Sequence, residues 1–172
     1  WHNRLQAFHQ SIQEFTPPDK KSYDLIISNP PFFSGGVLSM NEPRQTVRHT
    51  VKLPTGDLLN AVRRLLTPGG SFALILPYLE GLRFREVAER SRLFCRRITE
   101  VKSVAHKPTE RLLMQFSQQA GPCNEDELTL HAEKSDRWTP AYGELVKDFY
   151  LPATLGRKLL QNRDDGSSKG HS

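Results

Sequence analysis

Short apolar runs alternate with amphipathic stretches along most of this chain. Residues 23–28 and 71–77 are almost continuously apolar, which is typical of buried strands in a parallel sheet. Between them, an aliphatic stripe that follows Asp57 predicts a helix with Asp57 as its cap, ended by the turn-forming residues 67–70. The alternation of strand and helix predicts an α/β domain with a mostly parallel sheet.

The remaining pattern predicts smaller elements on either side of this unit. In chain order they are a strand at 5–9, a helix through Phe84, Val87 and Ala88, two strands at 94–104 and 112–116 that pair antiparallel, a polar connection at 118–126, an edge strand at 127–131 and a helix from 139 or 140 to 150. Residues 34–54 have no clear period, which is typical of a functional lid. We expect a catalytic domain over 1–151 and a mostly disordered tail over 152–172, because the tail has little apolar surface.

The most informative residues are Asn29-Pro30-Pro31-Phe32, directly after the first buried strand. Each proline fixes its own φ, lacks an N–H, and pushes the preceding residue into an extended conformation. The corner is therefore rigid. We expect it to hold the Asn29 amide, the Pro30 carbonyl and the Phe32 ring together past the carboxyl end of the strand.

Such a corner suits a planar group that carries an exocyclic amine. The Asn29 side-chain oxygen and the Pro30 carbonyl can each accept one N–H, while the ring stacks on Phe32 for about 1–3 kcal/mol. Two acceptors favour the pyramidal nitrogen of the transition state, so these hydrogen bonds are stronger in the transition state than in the ground state and lower the barrier. The alternative is a simple turn after a buried strand, since Asn and Pro are common turn formers.

At this point the chain resembles a known group. The run from Asp24 to Phe33 is similar to the catalytic motif of S-adenosylmethionine-dependent methyltransferases that methylate amino groups. Further matches narrow the resemblance to the bacterial tRNA1(Val) (adenine-37-N6)-methyltransferase family. They are Phe32-Phe33, Gly35-Gly36, Arg44, Arg48-His49-Thr50, Leu53, Arg111 to Phe116, Tyr142 and Asp148 to Leu151. The match covers roughly residues 4 to 151.

The resemblance implies a Rossmann-like class I methyltransferase fold with an antiparallel C-terminal hairpin. Such enzymes bind their cofactor on a glycine-rich turn after the first strand, and no Gly-x-Gly occurs in this chain. We therefore expect the N-terminal strands to be missing, and the chain by itself to bind S-adenosylmethionine weakly or not at all and to be inactive.

The resemblance also implies cofactor contacts at Ser11 and Ile12, in a segment that meets the adenine of S-adenosylmethionine, and at Asn29. The family commonly has Asp at the position of Ser11, but a serine hydroxyl can still bond the ring amine, and the Ile12 N–H remains available. An equally good interpretation is that Ser11 caps a short turn before Phe15.

The charge balance favours a polyanionic partner. The chain has 24 Lys and Arg residues against 19 Asp and Glu, a net charge of +5. Arg44, Arg48 and His49 follow the catalytic corner beside Phe33, where a flipped base with flanking phosphates needs cations and an aromatic edge. We expect these four residues to bind tRNA.

Several function classes lack support in the sequence. No apolar stretch approaches a membrane span and no signal peptide is evident, so we expect a cytoplasmic protein and no membrane partner. The histidines form no metal-ligand spacing, and Cys95 and Cys123 are expected to be free thiols. We expect a monomer with no metal.

The function that these residues and the resemblance together predict is methyl transfer from S-adenosylmethionine to N6 of an adenine in tRNA. Asn29, Pro30, Pro31 and Phe32 are the expected catalytic residues. Two alternatives stay open: the amine could be N2 of guanine in ribosomal RNA or a protein glutamine amide, or the chain could be a non-catalytic RNA-binding fragment.

Overall fold

The structure is a computed structural model that describes residues 4–18, 22–30, 53–133, 136–151 and 158. Its strands are β1 (Tyr23–Ser28), β2 (Leu66–Pro77), β3 (Phe94–Lys102), β4 (Arg111–Ser117) and β5 (Asn124–Thr129). Its helices are α1 (Thr55–Leu65), α2 (Tyr78–Arg90) and α3 (Pro140–Val146), and a 3-10 turn over Lys147–Phe149 follows α3.

The five strands form one mixed sheet in the order β1-β2-β4-β3-β5. β1 pairs parallel with β2, and β3 pairs parallel with β5. β4 lies between β2 and β3 and is antiparallel to both. The predicted antiparallel pairing of the strands near 94–104 and 112–116 is therefore confirmed, and two of the four pairings described are parallel.

The core lies on one face of this sheet. Side chains alternate along β2, so that Phe72, Leu74 and Leu76 are buried while the residues between them are half-buried. The rings of Phe72, Phe84 and Phe116 meet there, with centroids 5.6 to 6.3 Å apart. α1 and α2 cover this face and contribute their apolar stripes to the same cluster.

The opposite face of β1 is open in the part of the chain that the structure describes. Leu25 and Ile27 are 54% and 74% exposed, and they pair with Ser71 and Ala73 of β2 on that face. The predicted position of this strand is confirmed, but the burial expected for it is not seen, because the described helices cover the other face only.

The prediction of a strand at residues 5–9 is wrong. These residues are exposed and form no strand, and Leu5 is 65% and Phe8 47% exposed. An extended segment becomes a strand only when a neighbouring strand completes its hydrogen bonds. β1 pairs with β2 and not with this segment among the described residues.

The start of α1 and the residues after it also differ from the prediction. The N-cap is Pro54, which makes no side-chain capping bond, so Asp57 lies in the first turn and is not the cap. Residues 67–70 were expected as a turn but belong to β2, where the register shifts between the Tyr23–Leu66 and Leu25–Ser71 pairs. The Thr67 hydroxyl donates to the Asp24 carboxylate (3.1 Å) at this bulge.

The last strand begins three residues earlier than predicted. Asn124 to Asp126, expected in a polar connection, pair with β3 and are part of β5. Cross-strand charge pairs compensate for the polar sequence: Arg97 pairs with Asp126, and Lys102 with Glu127. β5 ends at Thr129, and His131 forms an isolated bridge with Trp138.

The C-terminal helix is present but shorter than predicted. Thr139 caps α3, its hydroxyl accepting from the Tyr142 N–H (3.2 Å). Lys158, the one described residue of the predicted tail, donates from Nζ to the Asp136 carbonyl (2.9 Å). The rest of that predicted tail lies outside the described residues. None of the helices described has both the length and the apolar character that crossing a membrane requires.

Candidate active site

The corner after β1 is the first part of the candidate site. The β1–β2 ladder ends at the Ser28–Leu74 pair, while β2 continues for three more residues to Pro77. Asn29 is exposed at this end and Pro30 is buried. Within the described ranges the Asn29 side chain makes no hydrogen bond, so its amide oxygen is available as an acceptor at the carboxyl edge of the sheet.

Pro31, Phe32, Phe33, Arg44, Arg48 and His49 lie outside the described residues. Their roles stay predictions, as does the lid at 34–54, of which the structure describes only Leu53 and Pro54.

The second part of the candidate site is the turn at residues 11–15, which carries Ser11 and Ile12. The Ser11 carbonyl accepts from the N–H groups of Glu14 (3.2 Å) and Phe15 (2.9 Å). The turn expected before Phe15 is therefore present, but the main chain of Ser11 closes it. The exposed Ser11 hydroxyl and the Ile12 N–H have no hydrogen-bond partner among the residues described.

These free groups fit the adenine of S-adenosylmethionine. An adenine edge offers ring nitrogens that accept and an amino group that donates. A main-chain N–H can donate to a ring nitrogen, and a serine hydroxyl can accept from the amine. Ser11 and Ile12 would hold the nucleoside end of the cofactor, and Asn29 lies on a different element, at the end of β1.

Helix α1 holds the turn from one side. Arg64 Nη1 donates to the Phe15 carbonyl (2.7 Å), and Nη2 donates to the carbonyls of Ile12 (3.2 Å) and Gln13 (3.3 Å). At the other end of the helix, the Gln13 amide donates to the Asp57 carboxylate (3.3 Å).

The sequence reasoning missed Arg64 and Asp57 as parts of the site. They are seven residues apart and so share one face of α1, outside the apolar stripe. A polar pair at that spacing is a weak signal that it faces another segment, and nothing in the sequence identifies that segment as 11–15.

Other features of the described residues lie away from this site. A cavity of about 540 Å³ lies between α2 and strands β3 and β5, and no predicted site residue lines it. At its wall Arg85 and Glu125 approach to 3.6 Å, while Asp126 pairs with Arg97 and Glu127 with Lys102. In the ranges that are described, no three His, Cys, Asp or Glu side chains are grouped so that they could hold a metal ion.

A tRNA1(Val) (adenine(37)-N6)-methyltransferase of Trichodesmium erythraeum is 39% identical over 151 residues, which are 88% of this chain and 63% of that protein. Proteins with the same name from Christiangramia forsetii and Yersinia pseudotuberculosis are 37% and 33% identical, over 88% of this chain and 63% and 60% of theirs. No family model matches the chain. These relatives confirm the resemblance, and the chain spans about three-fifths of their length.

A comparison of structures concerns the fold. The crystal structure of a predicted O-methyltransferase from Agrobacterium tumefaciens superimposes with a TM-score of 0.52, covering 73% of this chain and 51% of that one. At 17% identity this likeness concerns the fold alone. It confirms the Rossmann-like methyltransferase fold.

Proposed function

We propose that the full-length protein transfers a methyl group from S-adenosylmethionine to N6 of an adenine in tRNA. The observation that carries this proposal is the exposed Asn29 side chain directly beyond the Ser28–Leu74 pair, at the carboxyl edge where open α/β sheets bind ligands. The names of the curated relatives support the same substrate and position.

When bound, S-adenosylmethionine supplies an electrophilic methyl group on a sulfonium sulfur. The protein's task is then to hold and orient the amine, which can lower a barrier by about 7–11 kcal/mol in favourable cases. Asn29 accepts one N–H of the amine through its side-chain oxygen, and the Pro30 carbonyl accepts the other. Pro31 keeps the corner stiff and Phe32 stacks on the base. Ser11 and Ile12 hold the nucleoside end of the cofactor.

The remaining parts of the proposal concern the partner and the compartment. Phe33, Arg44, Arg48 and His49 clamp the flipped adenine and its flanking phosphates. We propose that the enzyme acts on tRNA in the cytoplasm, as a monomer.

The test is Asn29→Ala in the full-length protein, assayed by transfer of labelled methyl to tRNA. Loss of an acceptor that acts mainly in the transition state lowers kcat by about 100-fold or more, by analogy with removal of one oxyanion-hole donor. Affinity for S-adenosylmethionine, measured by calorimetry, should stay near that of the wild type. Asn124→Ala is the matched control, because Asn124 is also exposed but begins β5 at the far edge of the sheet.

Two outcomes would contradict the proposal. Near-normal turnover by Asn29→Ala would remove Asn29 from catalysis. Nucleoside profiling of tRNA and ribosomal RNA from cells with and without the gene tests the substrate. If N2-methylguanine is lost and N6-methyladenine is unchanged, the substrate is guanine and not adenine.

A further inference from the structure

We infer that Arg64 is a positioning residue that holds the turn at residues 11–15 in the shape that receives the adenine of S-adenosylmethionine. The inference rests on the proposed function. It assigns a role in cofactor binding to a helix residue that reaches the cofactor only through the turn.

The geometry of the contact is that of a clamp. A guanidinium carries N–H donors in one rigid plane, which lets it hold several acceptors in a fixed relation. Two nitrogens of Arg64 meet three carbonyls, those of Ile12, Gln13 and Phe15, at 2.7 to 3.3 Å. These partners are 49 to 52 residues away in sequence, so the contact fixes tertiary structure and not only the local turn.

The directions of the carbonyls within the turn decide where its free N–H groups point: Arg64 fixes the Ile12 carbonyl, and the turn itself fixes the Ser11 carbonyl. The C=O and N–H of a trans peptide point in opposite directions. Because the Ile12 carbonyl faces Arg64, the Gln13 N–H faces away from α1. The Ser11 carbonyl points into the turn toward Glu14 and Phe15, so the Ile12 N–H points out of it. Neither N–H donates to any residue in the described ranges.

Besides Arg64, two single side-chain bonds reach this turn: the Gln13 amide donates to the Asp57 carboxylate (3.3 Å), and the Gln10 amide donates to the Glu14 carbonyl (3.1 Å). Its residues are exposed except Ile12 and Phe15, which are half-buried, and the Phe15 ring contacts Phe8 at 5.1 Å between centroids. Phe8 is itself 47% exposed, so this pair is not anchored in the core. Loss of Arg64 should therefore loosen the turn, while the buried stripe of α1 keeps the helix in place.

The experiment compares Arg64→Gln with Arg63→Gln in the full-length protein. Arg63 is the neighbouring exposed arginine on α1, and its side chain makes no bond to the turn among the described residues. Arg63→Gln therefore removes the same charge without removing a contact to the turn. Hydrogen exchange of the Glu14 and Phe15 amides, which both donate to the Ser11 carbonyl, is measured without ligand. Calorimetry then gives the affinities for S-adenosylhomocysteine and for 5′-methylthioadenosine.

We expect Arg64→Gln to speed exchange at these amides and to weaken both ligands by about tenfold, the effect of losing a charged hydrogen-bond partner. The two ligands should lose the same factor, because they share the nucleoside that the turn contacts. KM for S-adenosylmethionine should rise while kcat at saturation stays near normal. Arg64→Lys should recover part of the loss, and Arg63→Gln should change none of these values.

Wild-type affinity and wild-type exchange in Arg64→Gln would overturn the inference and leave the proposed function standing. A wild-type protein that binds neither ligand would instead defeat the proposed function, and this inference with it. If Arg64→Gln does not fold, Arg64→Lys decides in the same assays: unchanged affinity and exchange there would refute the clamp, and an intermediate loss of both would support it.

Discussion

Replacement of Arg92 by glycine should stabilise the protein. Arg92 follows α2 with a φ of 57°, the left-handed region that favours glycine. Its N–H donates to the Glu89 carbonyl (2.9 Å), and the N–H of the fully buried Leu93 donates to Ala88 (2.9 Å). This pair of bonds is a Schellman motif, in which the left-handed residue is usually glycine.

The size of the effect follows from two opposing terms. The left-handed conformation costs a residue with a Cβ about 1–2 kcal/mol, which glycine does not lose. Glycine gives back about 0.5–1 kcal/mol, because it has more freedom to lose on folding. The net gain lies between about 0 and 1.5 kcal/mol, and its midpoint of about 0.75 kcal/mol raises Tm by about 1.5–3 °C for a domain of this size.

Urea unfolding of the full-length protein, together with calorimetric Tm, measures this gain. Arg92→Ala is the first control, because it removes the same side chain but keeps the left-handed cost. Arg90→Gly is the second, since Arg90 is in the last turn of α2 and glycine there should destabilise by about 1 kcal/mol. If Arg92→Gly were no more stable than Arg92→Ala, backbone strain at this position would be refuted.

Two further predictions concern the core and the thiols. Phe116→Ala should cost about 3–5 kcal/mol in urea unfolding, because Phe116 is fully buried between two other rings, whereas Leu145→Ala, at a residue 58% exposed, should cost little. Burial, and after it the hydrogen bond with Cys123, raises the pKa of Cys95 from 9.0 to about 12, and both cysteines are free as expected. The neutral thiol is therefore favoured on folding, so this stabilisation is complete below about pH 9 and is lost as the pH rises toward 12. Tm measured from neutral to alkaline pH should fall less in Cys95→Ala than in the wild type, and equal slopes would contradict this.

Elements whose signal is local were predictable from the sequence. β1 and its polar corner follow from an apolar run that ends at two prolines, and the structure has the strand at the predicted residues. α2 follows from its periodic apolar residues, which include the buried Phe84 and Ala88. In both cases the information lies within one element, so no long-range contact was needed.

Elements that depend on a distant partner were not predictable in the same way. Residues 67–70 have the composition of a turn, yet they form a bulge in β2 because β1 continues the ladder on either side of them. The polar start of β5 becomes a strand because it pairs with β3, and because Arg97 on β3 and Arg85 on α2 meet its acidic side chains. The strand predicted at 5–9 fails for the converse reason, since no neighbour among the described strands pairs with it.

The candidate site shows the same division. Asn29, Ser11 and Ile12 could be named from the sequence as candidate site residues. The role of α1 could not be identified in this way, because its contacts with the turn are made between residues distant in sequence. The inner stripe of α1, including Leu59 and Val62, packs in the same cluster as β2, and β2 pairs with the strand that ends at Asn29. The outer face of α1 holds the Ser11 turn through Arg64. One helix thus contacts both the core beside β2 and the turn that we propose binds the cofactor, and Arg64, which makes the contact with the turn, lies outside every motif.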